Sequence, residues 1–137
     1  MLFTKTEEEI ELLRLNNDLV SKTLAEVAKI IRPGITTKEL DRRAEEFIRD
    51  NGAKPGFLGY NGYPATLCTS VNDSVVHGIP SSYALRDGDI VSVDCGTFLH
   101  GFYGDSAFTF AVGEVKPEVQ RLLNVTRECL GKGVEAA

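Results

Sequence analysis

The length and composition of this chain are those of one globular domain. It has 137 residues, of which 42% are hydrophobic and 26% are charged, close to the averages for globular proteins. We therefore expect a single domain over residues 1–137, and no apolar run reaches the roughly 18–20 residues that a membrane span needs. With 15 basic and 20 acidic side chains the formal net charge is −5, which disfavours nucleic acid as a partner.

The N-terminal sequence and the cysteines favour the cytoplasm. The first residues, MLFTKTEEEIELL, turn acidic without the basic flank and apolar core of an export signal. Cys68, Cys95 and Cys129 are odd in number and far apart, so they form neither a disulfide framework nor a C-x-x-C metal pair. We expect a reducing, cytoplasmic location.

Two amphipathic helices are predicted at the start of the chain. A capping box at Thr6 begins the first helix, and its apolar residues recur at helical spacing as far as Ile31. The second helix is predicted to begin at Thr36 or Thr37 and to end at Gly52.

The rest of the chain predicts a sheet and one more helix. Glycine, proline and aromatic residues mark a shaped loop over residues 55–64. β-Branched residues and turn signals then predict strands over 65–71, 74–79, 90–97 and 103–112, followed by a helix that begins at Pro117. The last two strands form an antiparallel hairpin around residues 98–101. The predicted fold class is α+β.

The hairpin carries two aspartates on one face. In one allowed antiparallel register Asp94 lies directly opposite Asp105, and the other face is mainly apolar. Like charges in this position destabilise a sheet unless a cation or a proton compensates them. Two metal ions bridged by carboxylates would do so and would form a hydrolytic centre. On spacing alone, two solvated aspartates near a turn are the more common arrangement.

Further candidates lie next to the hairpin. His77 is part of V-V-H-G-I-P, an apolar setting in which a histidine is more often a hydrogen-bonded core residue than a catalyst, although the glycine leaves room for a ligand. Tyr60 and Tyr63 either pack within the loop or line a pocket. Cys95 follows Asp94 and so points to the opposite face, where we expect a small core hydrophobe.

Four segments together resemble type I methionine aminopeptidase. In this order and with these gaps, they are G-Y-N-G-Y-P-A-T-L-C (59–68), S-V-N-D-S-V-V-H-G-I-P (70–80), D-G-D-I-V-S-V-D (87–94) and G-F-Y-G-D (101–105). The resemblance runs from about Thr4 to the last residue. It implies half of a pita-bread fold, with two N-terminal helices, an antiparallel sheet with a metal-bearing hairpin and a truncated final helix.

The resemblance also implies roles for individual residues. Asp94 matches a terminal metal ligand and Asp105 a bridging one, in a centre of two divalent ions that could be Co, Mn, Fe or Zn. His77 matches the catalytic histidine that contacts substrate near the scissile bond. Tyr60, Tyr63 and Cys68 match the pocket for the methionine side chain, and Phe57 takes a pocket-wall position that is cysteine in some bacterial relatives.

The family's other metal ligands, one histidine and two glutamates, have no match after Asp105. Its second substrate-contacting histidine is also unmatched. We therefore expect this sequence to be the N-terminal half of the catalytic domain, with the C-terminal half absent and with little activity alone. The sheet edge and apolar surface left uncovered would then favour self-association.

The function implied by the resemblance is removal of the initiator methionine from nascent polypeptides by a cytoplasmic metallo-aminopeptidase. A prolidase or creatinase-type relative is the nearest enzymatic alternative. A non-catalytic pita-bread module that binds peptide or a partner protein is another. The inward-facing carboxylates of Asp94 and Asp105 argue against that module, because peptide binding does not require them.

Overall fold

Three helices and an antiparallel sheet make up the chain. The computed structural model describes residues 4–137. The elements are α1 (Glu7–Ala28), α2 (Thr37–Asp50), β1 (Lys54–Pro55), a short 3-10 helix (Tyr60–Gly62), β2 (Leu67–Val71), β3 (Ile90–Leu99), β4 (Phe102–Ala111) and α3 (Pro117–Ala136). This arrangement confirms the predicted α+β class. Among the described residues, no helix combines the length and the apolar character required to cross a membrane.

Capping boxes begin the first two helices; the box at Thr6 was predicted, and at the second helix start only a cap was predicted. The Thr6 hydroxyl accepts a hydrogen bond from the Glu9 N–H at 3.2 Å, and the Glu9 carboxylate accepts one from the Thr6 N–H at 2.8 Å. Thr36 and Glu39 form the same reciprocal pair at the start of α2. Each box satisfies backbone donors that have no partner within the helix.

Helix α1 ends at Ala28, so its predicted continuation to Ile31 is wrong. Beyond Ala28 the chain turns away through Pro33, which disfavours helical conformation in the residue before it. Gly34, at φ 90°, then donates its N–H to the Leu85 carbonyl at 2.7 Å. This long-range bond redirects the chain at a point where the apolar periodicity of the sequence predicts a longer helix.

Strand β3 is the centre of the sheet. Strands β1 and β2 pair with successive parts of one of its edges, and β4 pairs with the other edge, all antiparallel. Among the described residues no strand pairs with the outer edge of β4. Among the described residues the outer edge of β4 and the opposite edge, formed by β1 and β2, are therefore both without a strand partner.

The two faces of the sheet differ in burial. Val91, Val93 and Cys95 alternate along β3 on the face covered by α1 and α2, and their exposure is 0%. The prediction that Cys95 is a core residue is confirmed. The intervening residues, Ser92 and Asp94, point to the opposite face. The helix-covered face supplies the core and leaves the other face available for a site.

A two-residue turn joins β3 to β4, rather than the predicted connection over residues 98–101. Leu99 pairs with Phe102, so only His100 and Gly101 lie between the strands. Their φ angles are 52° and 84°, the positive values of a type I′ turn. The twist of this turn matches that of the flanking strands, which explains why the strands extend further than predicted.

The tighter turn changes the predicted register by two residues. Asp94 lies opposite Ala107, and Asp105 lies opposite Gly96, so the prediction that the two aspartates face each other directly is wrong. A shift of two residues keeps every side chain on its face of the sheet. The prediction that Asp94 and Asp105 share one face is therefore confirmed.

Residues 74–79 do not form the predicted strand. Two backbone bonds join β2 to them, from the Thr69 N–H to the Gly78 carbonyl at 2.7 Å and, within a turn, from the Ser74 N–H to the Val71 carbonyl at 3.0 Å. His77 has φ 58°, which breaks an extended run, and Val75 is 84% exposed. The β-branched residues that suggested a strand therefore lie beside β2 without forming a ladder with it.

Helix α3 begins at Pro117, as predicted, but projects from the body. None of its residues is buried, and Leu130 and Val134 are each 70% exposed. Its apolar residues therefore have no covering element within the described part of the chain.

The turn between β3 and β4 generates the first prediction. Gly101→Ala should lower the free energy of unfolding by about 1 kcal/mol, because φ 84° is unfavourable for any residue with a Cβ. The matched control is Gly131→Ala, which lies within α3 with no atom near its Cβ position. It should raise helix content, since alanine favours helix. Urea denaturation and circular dichroism measure both, and an equal loss of stability in the two variants would contradict the turn's role.

Candidate metal centre

The uncovered face of the sheet brings three of the predicted site residues, Cys68, Asp94 and Asp105, close together. Cys68 of β2 and Ala107 of β4 flank Asp94 in one row across the sheet, and Gly96 pairs with Asp105 in the next row. Asp94 and Asp105 are therefore diagonal neighbours on the same face, within reach of each other's side chains.

The surroundings of Asp94 disfavour its negative charge. Its Oδ1 atom is buried and has no hydrogen-bond partner among the described residues. Burial, followed by the charge of Asp105 and a hydrogen bond between the two side chains, raises the pKa of Asp94 to about 6. The charge of His77 and the Cys95 N–H act in the opposite direction. Such a carboxylate requires a proton or a cation as compensation.

Cys68 and Tyr63 border the carboxylates on the β2 side. The Tyr63 hydroxyl donates to the Leu67 carbonyl at 2.9 Å and lies 3.3 Å from the Gly78 carbonyl. Burial raises the pKa of Cys68, a hydrogen bond with Tyr63 lowers it, and the charges of Asp94 and Asp105 raise it further. Tyr63 is therefore on the same side of the sheet as the carboxylates.

His77 is exposed, so the alternative that it is a core histidine is wrong. Its position is set by the next residue, Gly78, whose carbonyl accepts from Thr69 and whose N–H donates to the Ser70 hydroxyl at 3.1 Å. A Cβ at Gly78 would lie 2.2 Å from the Thr69 carbonyl oxygen. Only glycine allows this approach, which holds His77 beside β2.

A cleft of about 830 Å³ opens on this face and is lined by Cys68, His77 and Asp94, together with residues of α3. Tyr60, Tyr63 and Phe57 do not line it. The structure thus brings only part of the expected pocket set to one cleft. Tyr60 is 67% exposed within the 3-10 helix.

Phe57 lies directly over the sheet instead. A Cβ at Gly96 would lie 2.4 Å from the Phe57 ring, so the ring covers the residue that pairs with Asp105. Phe57 therefore borders the carboxylate pair from the side of β1, outside the large cleft.

Asp41 also helps to position the site, but it was not predicted from the sequence. Its Oδ1 accepts from the Thr66 and Leu67 N–H groups at 2.9 and 2.7 Å, which fixes the start of β2. Burial raises the pKa of Asp41, although these two bonds act in the opposite direction. Nothing in its neighbourhood along α2 signals contacts that lie 25 and 26 residues away.

The donor set fits a divalent cation but is incomplete. Carboxylate oxygens suit Mn²⁺ and similar ions, and the unpartnered Oδ1 of Asp94 supplies a coordinating atom that nothing else satisfies. Over residues 4–137, however, no group of three or more His, Cys, Asp or Glu side chains is placed to hold a metal ion. The chain therefore presents two carboxylates of a larger potential ligand set.

Comparison with known proteins identifies similar sequences and structures. The sequence model of metallopeptidase family M24 matches residues 11–137. A curated methionine aminopeptidase from Clostridium perfringens is 51% identical over 137 residues, which are 100% of this chain and 55% of that protein. The crystal structure of methionine aminopeptidase from Rickettsia prowazekii has a TM-score of 0.95 and 36% identity, covering 97% of this chain and 54% of that one.

A more distant structure has the same fold. Xaa-Pro dipeptidase from Bacillus anthracis has a TM-score of 0.77 and 25% identity, covering 90% of this chain and 34% of that one. The expected pita-bread arrangement is confirmed over about half of the methionine aminopeptidase structures. The chain spans about half the length of the curated relatives it matches. Because the family model covers nearly all of the sequence, the chain belongs to metallopeptidase family M24.

Proposed function

We propose that residues 1–137 form the N-terminal half of the catalytic domain of a cytoplasmic methionine aminopeptidase. Its substrate would be the N-terminal methionine of nascent polypeptides. The observation that carries the proposal is the carboxylate pair, in which Asp94 and Asp105 share the uncovered face and the Oδ1 of Asp94 is buried without a partner. A purely structural sheet has no use for such a pair, because its mutual repulsion destabilises the fold.

In this proposal Asp94 and Asp105 hold two divalent metal ions, with Co, Mn, Fe and Zn as candidates. When bound, such ions polarise a scissile carbonyl and lower the pKa of water. His77 would donate a hydrogen bond to the substrate carbonyl oxygen as it gains negative charge. Its exposed position beside Asp94 in the cleft supports this role.

The methionine side chain would bind against the residues that border the carboxylates. Cys68 lies beside Asp94 in the sheet, and Phe57 covers Gly96. Tyr63 is fixed on the same side through its hydroxyl. Tyr60, on the exposed 3-10 helix, would contribute to the rim. An apolar wall with few polar groups suits a thioether side chain.

Two alternatives remain distinct from this proposal. A prolidase-type activity shares the fold, but the curated relatives that match the whole chain at 48–51% identity are methionine aminopeptidases. A non-catalytic peptide-binding module would not require the repulsion between Asp94 and Asp105. Both are tested by the activity measurement below.

Activity decides the proposal. The isolated chain should not hydrolyse Met-Ala-Ser with added Co²⁺ or Mn²⁺, because two carboxylates cannot hold a reactive centre. A chimera of residues 1–137 with the C-terminal half of the Clostridium perfringens relative should be active. In it, Asp105→Asn should abolish turnover, whereas His77→Ala should lower kcat and leave metal stoichiometry unchanged.

Turnover by the isolated chain would contradict this assignment. So would loss of metal from a folded His77→Ala chimera. Hydrolysis of Xaa-Pro dipeptides in place of Met-Ala-Ser would favour the prolidase alternative, and a metal-loaded chimera without either activity would favour the binding module.

The raised pKa of Asp94 predicts how stability depends on pH. Between the ordinary value of 3.8 and the folded value of about 6, the folded chain holds a proton that the unfolded chain releases. This contribution to stability is fully present below about pH 4 and is lost as pH rises through 6, on the order of 2–3 kcal/mol. Asp94→Asn should remove it.

Urea denaturation of both chains at pH 4, 5, 6 and 7 measures the effect. Asp73→Asn, which changes an exposed aspartate in a turn, is the matched control and should keep the wild-type slope. An unchanged pH slope in Asp94→Asn would show that this carboxylate is not the strained group.

The uncovered surfaces predict self-association of the isolated chain. Strand β4 lacks an outer partner among the described residues, and Leu130 is 70% exposed on α3; both features favour pairing. Sedimentation velocity should show reversible dimers or larger species. Leu130→Lys should weaken them more than Glu128→Gln, which adds the same charge to α3 without removing an apolar side chain. A monomer at high protein concentration would refute the association.

A further inference from the structure

The backbone of Asp105 lies on the open edge of the sheet. Leu99 and Phe102 pair on either side of the two-residue turn, so alternate residues of β4 bond to β3 from Phe102 onward. Asp105 belongs to the other set, whose N–H groups point away from β3. The sheet therefore does not satisfy the N–H of this residue.

A side chain of α1 satisfies it instead. The Asn17 Oδ1 atom accepts a hydrogen bond from the Asp105 N–H at 3.3 Å. The other end of the same amide, Nδ2, donates to the Leu13 carbonyl at 2.9 Å. Because Nδ2 is engaged within α1, the amide has one orientation, and its oxygen faces the strand.

The preceding residue fixes α1 on the same hairpin. Asn16 is fully buried, donates to the Phe102 carbonyl at 2.6 Å and accepts from the Thr97 hydroxyl at 2.5 Å. A Cβ at Gly104 would lie 3.0 Å from the Asn16 carbonyl oxygen, so helix and strand are in close contact here. These contacts prevent α1 from sliding along the hairpin and keep Asn17 opposite Asp105.

The carboxylate pair explains why such a hold matters. Asp94 and Asp105 repel each other, and Asp105 is exposed on a strand with one neighbour. Without a restraint, β4 could relieve the repulsion by moving its edge away from β3. The bond from Asn17 opposes that movement at the residue that carries the charge.

We infer that Asn17 is a positioning residue, which holds the backbone of Asp105 so that its carboxylate and that of Asp94 can bind the same divalent ions. The inference rests on the proposed metal site and deepens it. Asn17 contacts neither substrate nor metal and acts through the Asp105 backbone alone. Helix α1 thereby takes part in the site as well as in the core.

The test compares Asn17→Ala with Asn51→Ala. Asn51 is a matched control, because its Nδ2 also donates to the carbonyl four residues earlier, that of Phe47, at 2.9 Å, with no link to the hairpin. Amide hydrogen exchange of Asp105 is followed by NMR in the metal-free chain. Mn²⁺ binding is followed by paramagnetic broadening in the chimera that supplies the C-terminal half, with Asp105→Asn marking the loss of the site.

Asn17→Ala should speed exchange of the Asp105 amide about tenfold or more. It should also weaken Mn²⁺ binding by about tenfold, near the lower end of the effect of groups that orient metal ligands. Asn51→Ala should change neither. Exchange of the Val93 amide, in the buried part of β3, should be unchanged in Asn17→Ala, which excludes a loss of folding as the cause.

Two results would overturn the inference in different ways. Mn²⁺ binding that depends on Asp105 but is unaffected by Asn17→Ala would refute the positioning role and leave the proposed function intact. Mn²⁺ binding that is equally weak in wild type and Asp105→Asn would refute the metal site, and the role of Asn17 with it.

Discussion

The two-residue turn at His100 and Gly101 determines where every side chain of the hairpin lies. Its positive φ angles fix the pairing of Leu99 with Phe102, and the register then follows along both strands. A turn centred one residue earlier, between Leu99 and His100, would place the aspartates directly opposite each other, with Cβ atoms about 4.5–5.5 Å apart. In the observed register they are diagonal neighbours, so the carboxylates converge from separated backbone positions.

The two faces of the sheet have opposite effects on stability. On one face, burial of Val91, Val93 and Cys95 against the helices stabilises the fold. On the other, Asp94 carries a buried oxygen without a partner and lies near a second carboxylate, which destabilises it. Because the core residues of β3 alternate with the residues of its other face, packing of the core fixes the position of the Asp94 carboxylate. A site of this kind requires a rigid strand, since a mobile one would separate the charges.

The sequence was sufficient where local signals coincide with tertiary structure. The capping box at Thr6 and the cap at Thr36 or Thr37 predicted both helix starts. The alternation of side chains along strands placed Asp94 and Asp105 on one face in both the predicted and the observed register. The sequence was insufficient where a contact with a residue far away in the chain determines the local structure. Residues 74–79 have strand-forming side chains, but the positive φ of His77 and the bonds of Gly78 to β2 give them an irregular path. Asn17 lies 88 residues from the amide it holds.

The carboxylates of the proposed site and the residues that would determine its specificity also lie on different kinds of structure. Asp94 and Asp105 lie on the two longest strands, where α1 fixes the hairpin through Asn16 and Asn17. Tyr63 and His77 lie on irregular segments that a few bonds attach to β2, chiefly those of Gly78. Irregular segments tolerate changes of sequence and length better than strands do. A fold shared by a methionine aminopeptidase and an Xaa-Pro dipeptidase can therefore keep a rigid hairpin while the loops around it vary.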